Sequence, residues 1–310
     1  MPAYAEWTPP GLPFMARDVG ASRKVLATAA RRGRVVRLAR GVYLDRRAWP
    51  DNPAEQHLLN CRAQQLRRPG LILARESAAL AHGMPLLQES AAVRGAPRFT
   101  RAELHARDID EVRSGVLAGL RLTTPQRTAL DLAAAAPLPQ ALVVLDAVAR
   151  QTLGQLSWTP ELRETSDTDV ESARGPLRAA LRRRGGGRLT SALDLVDPRR
   201  ESPPESYSFG VIHESPLPDP RSQVAVATGD GVRWPDFGWE RWRLAGEVDG
   251  AVKYRGERAD QVRIAEKLRE IALADAGWAV VRWMPMEIYR RPGVVLDRIA
   301  RALRRQGWPG

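Results

Sequence analysis

Apolar and polar positions at the start of the chain alternate first with a helical and then with a strand period. A short helical pattern over 15–20 ends at Gly20, and Ser22 is the N-cap of a helix over 23–32 closed by Gly33. Val35, Val36 and Leu38 then read as a strand, Ala39-Arg40-Gly41 as a tight turn, and Val42, Tyr43 and Leu44 as the returning strand. The expected order is helix, turn, helix, hairpin. Further on, Thr124-Pro125 caps a helix whose Leu130, Leu132 and Ala133 face a core, with Arg127 and Asp131 four apart as a supporting ion pair. Ser202-Pro203-Pro204-Glu205 has the form of a capping box and opens a helix toward Glu214. After it the pattern predicts strands over 223–227, 233–239 and 244–249 with a Gly229-Asp230-Gly231 turn. A helix over 260–276, a strand over 278–283 and a helix over 294–304 complete the chain.

At 310 residues the chain has room for two or three domains, and 44% hydrophobic with 27% charged residues excludes wholesale disorder or a fibrous repeat. No apolar run is long enough for a membrane span, since even 141–149 is broken by Asp146. The N-terminal residues show no basic start followed by an apolar stretch, so the expectation is a cytoplasmic protein without a cleaved signal. A single cysteine, Cys61, excludes an intrachain disulfide and a multi-thiolate zinc site, and His57, His82, His105 and His213 have no metal-ligand spacing. Residues 151–200, acidic at first and then RRRGGGR, read as a linker or helical connector, and the glycine run lacks the pattern of a phosphate-binding loop.

The net charge of +12 points to a polyanionic partner or a membrane surface, and residues 1–50 carry ten Arg or Lys against three acids. Arg23 and Lys24 open the helix that would enter a groove, Arg31, Arg32, Arg34 and Arg37 extend the basic surface, and Arg40 marks the tip of the hairpin. Turn, cap, hairpin and charge together predict a winged helix on double-stranded DNA, the alternatives being a solvated basic helix on an ordinary helical domain and RNA as the polyanion.

A second chemistry lies near the C-terminus. Asp236 falls on one expected strand and Glu247 and Asp249 on one face of the next, so three carboxylates converge. Such acids repel unless a cation or a shared proton neutralises them, and hard oxygen ligands suit Mg²⁺ or Mn²⁺. The alternative for them is to cap a hairpin or pair with arginines. Two of the chain's three lysines, Lys253 and Lys267, stand nearby in sequence.

SRKVLATAARRGRVVRLARGVYL, ARESAALAHGMPLL and LRLTTPQRTALDLA resemble the winged helix and middle segments of AbiEi-type abortive-infection antitoxins. SPPES, PDFGW, GEVDGAVKY, EKLRE and AGWAVVRW resemble a very-short-patch-repair endonuclease-like domain of the PD-(D/E)XK superfamily. The resemblance implies an α+β multidomain protein: a winged helix (1–50), a mixed middle domain (51–150), a connector (151–200) and a nuclease-like α/β domain (201–310). It implies Asp236 and Glu247 as metal ligands, Asp249 as a nearby acid, Glu205 as a helical contributor, and Lys253 or Lys267 as the catalytic ammonium. The chain departs from the superfamily pattern where Asp249 stands in place of the usual lysine, which puts turnover in question more than fold. Two functions therefore stay open: a Mg²⁺-dependent endonuclease in repair or phage defence, or a silent regulator or antitoxin with a cognate toxin partner.

Overall fold

The computed structural model describes residues 9–87, 89–100, 104, 106–155, 158–184, 189–250 and 267–310. The protein is mixed α+β and divides into two compact units, 1–132 and 133–310. Among the described residues no helix is long and apolar enough to cross a membrane.

The first unit opens with β1 (Phe14–Met15), α1 (Arg23–Arg31), β2 (Val35–Ala39) and β3 (Val42–Asp45), in a sheet ordered β1-β3-β2. Ser22 caps α1 by accepting from the Val25 N–H at 3.3 Å, and Leu26 and Ala29 bury one face of the helix against Phe14 and Val35. The expected helix over 15–20 is not formed. Met15 pairs with Val42, Phe14 stacks on Tyr43 at 6.1 Å, and Ala16 donates to the Gly41 carbonyl, so cross-strand partners hold the segment extended.

The same unit continues through α2 (Pro53–Arg67), β4 (Ile72–Leu73), α3 (Arg75–Ala81), α4 (Glu89–Arg94), β5 (Phe99–Thr100), β6 (Ile109–Glu111), β7 (Arg121–Thr123) and α5 (Pro125–Ala133). Its second sheet has the order β5-β4-β7-β6 over a core of Leu58, Cys61, Leu73, Ala78, Leu120 and Leu122. Arg127 and Asp131 form the expected ion pair at 3.0 Å, and Asp108 lies 3.9 Å from the same guanidinium.

In the second unit, α6 (Leu138–Thr152), α7 (Asp167–Arg184), α8 (Thr190–Asp194) and α9 (Pro203–His213) make a helical layer. A Cβ on Gly210 would lie 2.5 Å from the Pro139 backbone, so only glycine permits this crossing of α9 on α6. The stretch 151–200 is largely helical and contributes core, with Leu162, Val170, Ala173, Leu177 and Leu193 buried. Its charged residues are absorbed as well: buried Arg200 reaches buried Asp146 at 2.9 Å, and Arg199 chelates Asp197 at 3.0 Å. Residues 185–188 of the RRRGGGR run lie outside the described residues.

The strands follow as β8 (Arg221–Ser222), β9 (Val226–Thr228), β10 (Gly231–Arg233), β11 (Phe237–Trp239) and β12 (Leu244–Val248). A helix α10 (267–275) precedes β13 (Ala279–Trp283), α11 (Pro285–Arg290) and α12 (Pro292–Arg305). The sheet order is β13-β12-β11-β8, with β12 and β13 parallel and the other neighbours antiparallel. The strand expected over 223–227 forms only from Val226, as β9, and the strand expected over 233–239 is split into β10 and β11. Gln223 adopts a left-handed φ of 51°, separating β8 from β9, and Trp234-Pro235-Asp236 interrupts the next strand. Proline has no N–H for a ladder, so β10 pairs with β9 as a separate hairpin while β11 enters the main sheet. Trp239 and Trp283 are core residues rather than base-stacking platforms, their indole N–H groups donating to the Pro218 carbonyl and Ser208 Oγ.

Candidate functional site

Helix α9 precedes the strands of the sheet in the chain, and its first turn delivers Glu205. Ser202 caps the helix, and its hydroxyl donates to Glu205 Oε1 at 2.6 Å while the Glu201 N–H donates to Oε2 at 2.8 Å. Gln223 Nε2 reaches the same Oε2 at 3.3 Å. The Gln223 N–H donates to the Asp236 carbonyl, so the left-handed turn at Gln223 ties the helix start to the segment carrying Asp236. Asp236 sits just before β11 rather than on a strand, and its Oδ2 accepts the Val248 N–H at 2.7 Å. Glu247, on β12, is buried, with Oε1 lacking any hydrogen-bond partner. Gly246 beside it lies against Trp283 and Trp239, where a Cβ would approach both rings to about 3.0–3.1 Å. Asp249 follows the strand; its N–H donates to the Trp283 carbonyl, and its Oδ1 accepts from Arg282 Nη1 at 2.7 Å.

Burial and mutual repulsion govern the protons of this cluster. Burial pushes the Glu205 carboxyl up to about 7 against the bonds from Ser202 and Glu201. Burial, with Glu205 and Glu247 adding like charge, raises Asp236 well above the carboxylate range. Glu247 is raised by burial and drawn back by Arg269 and Arg282. Glu205, Asp236 and Glu247 thus form one electrostatic unit that holds protons when no cation is present.

One sequence-predicted residue, Lys267, is engaged outside the cluster. Lys267 lies on α10, exposed, with Nζ 3.7 Å from Glu270. Lys253 lies outside the described residues. Arg282, Gln223 and Arg269 were not among the expected site residues. Arg282 had a readable signal, a lone charge in the apolar strand AVVRW, whereas Gln223 depends on a backbone turn that sequence does not announce. Among the described residues no three His, Cys, Asp or Glu form a ready metal cage. The unpaired oxygens of Glu247 and Gln223, set beside Asp236, nonetheless suit a hard divalent ion, because Mg²⁺ retains waters and takes only one or two protein carboxylates.

The basic surface belongs to the first unit. Arg23, Lys24, Arg31 and Arg32 are exposed on and just beyond α1, with Lys24 and Arg31 seven apart on one face. Arg37 is exposed on β2, Arg40 is exposed in the turn before Gly41, and Arg34 is half-buried. The described histidines have structural partners: His57 lies between the Val93 carbonyl and Ser77 Oγ, His82 against the Thr123 carbonyl, and His213 against Asp219. Burial pushes the Cys61 thiol up to about 12, leaving it inert at neutral pH.

The chain is 30% identical over 195 residues to uncharacterized proteins of two Mycobacterium tuberculosis strains, covering 63% of this chain and 66% of each relative. It therefore spans just under two thirds of the length of these relatives. No family model and no solved structure matches the chain.

Proposed function

We propose that this chain is a DNA-binding protein whose second unit carries a Mg²⁺- or Mn²⁺-dependent phosphodiesterase site, acting as an endonuclease. In this reading α1 with the β2–β3 hairpin is a winged helix, and α9 with the β13-β12-β11-β8 sheet is a PD-(D/E)XK-type core. The resemblance to AbiEi-type and very-short-patch-repair-like proteins supports the same assignment. The observation that carries it is the convergence of buried Glu205 and Glu247 with Asp236, joined through Gln223 and the Val248 N–H, with the Glu247 Oε1 unpaired. Three acids brought together at this cost to their ionisation are expected where a cation or a proton transfer is required.

Asp236 and Glu247 would hold the ion, Asp236 oriented by the Val248 N–H, and Gln223 and Ser202 would fix Glu205 behind them. A divalent ion so bound lowers the pKa of water and stabilises charge on a phosphodiester. Glu205, with its carboxyl near 7, can give up or take a proton at working pH. The test is nicking of supercoiled plasmid and single-stranded DNA by the full chain in Mg²⁺, Mn²⁺ and chelator.

One observation favours a second reading, a regulator or antitoxin that binds DNA or RNA without cutting it. Lys267 is turned to Glu270, and Asp249 is engaged by Arg282, so the ammonium expected of an active site is not among the described residues of the cluster. Saturable binding to its own promoter without cleavage, and co-purification with a cognate toxin, would mark this reading.

A further inference from the structure

Arg282 is the next-to-last residue of β13, an edge strand of the sheet, where its neighbours Val280, Val281 and Trp283 are apolar. Its register partner on β12 is Glu247. Nη1 donates to Asp249 Oδ1 at 2.7 Å, and the backbone carbonyl accepts from Arg298 Nη1 at 2.6 Å, so both ends of the residue are held. Its Nε is buried without a hydrogen-bond partner, as is Glu247 Oε1. A donor and an acceptor are thus left unpaired at one register position of two adjacent strands. A ligand presenting an anionic oxygen together with a cation would satisfy both, the oxygen on Arg282 and the cation on Glu247. A phosphodiester with its counter-ion has that composition, and the planar guanidinium fork suits phosphate oxygens better than an ammonium does.

We propose that Arg282 binds a phosphodiester oxygen at the carboxylate cluster, with Asp249 holding its guanidinium in position. This rests on the nucleic-acid reading of that cluster, yet it requires only binding and not hydrolysis. The experiment measures affinity of the full chain for a short labelled DNA duplex across a salt series in Ca²⁺, comparing wild type, Arg282→Gln and Arg282→Lys, with thermal melts as the folding control. Arg282→Gln is expected to lose about tenfold in affinity and to lower the slope of log K against log salt by about one. Arg282→Lys keeps the charge without the fork, so it should restore the slope and only part of the affinity. An unchanged affinity and slope in folded Arg282→Gln would overturn the proposal; should that variant fail to fold, wild-type affinity in Arg282→Lys would do so. Absence of cleavage by wild type in Mg²⁺ would instead remove the hydrolytic reading and leave the Arg282 contact standing.

Discussion

The Val248 N–H donates to Asp236 Oδ2 at 2.7 Å, pinning an acid from the segment before β11 onto the strand that carries Glu247. That bond brings residues 236 and 247 into one site although the expected strand around Asp236 is broken. It also stabilises the charged form of Asp236, but burial and the neighbouring acids outweigh it, so the carboxyl is raised.

Proton retention by the cluster gives a pH signature. Glu205 is raised to about 7 in the folded protein from an ordinary 4.5, so its contribution to stability is full below about pH 4.5 and is lost as pH rises toward 7. The loss is on the order of a few kcal/mol. Urea unfolding of the chelator-treated second unit should show wild type falling over this interval relative to Glu205→Gln. Parallel stability curves for the two proteins would contradict the assignment.

Cation binding should be coupled to the same protons. Mg²⁺ or Mn²⁺ requires the ionised acids, so it should stabilise the fold by about 3 kcal/mol at a hundredfold excess over its Kd and should raise Tm more at pH 8 than at pH 6. Calorimetry in buffers of different ionisation enthalpy should register proton release. Asp236→Asn with Glu247→Gln should abolish both effects.

The basic surface of the first unit predicts a separable binding defect. Arg23 and Lys24 are exposed at the start of α1, so Arg23→Gln with Lys24→Gln should leave Tm unchanged. Their loss should weaken duplex binding across sequences and lower the salt slope by about two if both meet phosphate, whereas relaxed sequence preference would indicate base contacts. Unaltered binding would move the DNA surface elsewhere.

Stability of the second unit should depend on a buried charge pair that was not among the expected site residues. Asp146 is fully buried, accepts from the Asp197 N–H at 2.8 Å and pairs with Arg200, whose guanidinium also lies 3.7 Å from the Phe209 ring centroid. Removing one partner leaves a buried charge unpaired, so Asp146→Ala should cost about 3–5 kcal/mol by urea unfolding. A change under about 1 kcal/mol would show that the pair is dispensable.

Local signals were legible in the sequence where the physics is local. Ser22 and Ser202 cap their helices as read, and Asp236 of PDFGW and Glu247 of GEVDG lie in one cluster with Glu205, whereas Asp249 is engaged by Arg282. What depends on distant partners was not legible. Phe14–Met15 is a strand only because Tyr43 and Val42 pair with it, and Gln223 turns left-handed where a non-glycine residue is disfavoured. Residues 151–200 read as a connector because their charges look solvent-facing, whereas Asp197 and Arg200 are buried in ion pairs. Arg282 required the parallel register of β12 with β13, which no spacing along the chain encodes.

The most direct test of the carboxylate site compares wild type with the Asp236→Asn, Glu247→Gln double variant on supercoiled plasmid and single-stranded DNA in Mg²⁺, Mn²⁺ and chelator. The account predicts metal-dependent nicking by wild type and a loss of at least about a hundredfold in the variant, with DNA retention by the first unit preserved. Nicking that survives in the variant, or DNA binding by both proteins with no cleavage in either metal, would contradict it.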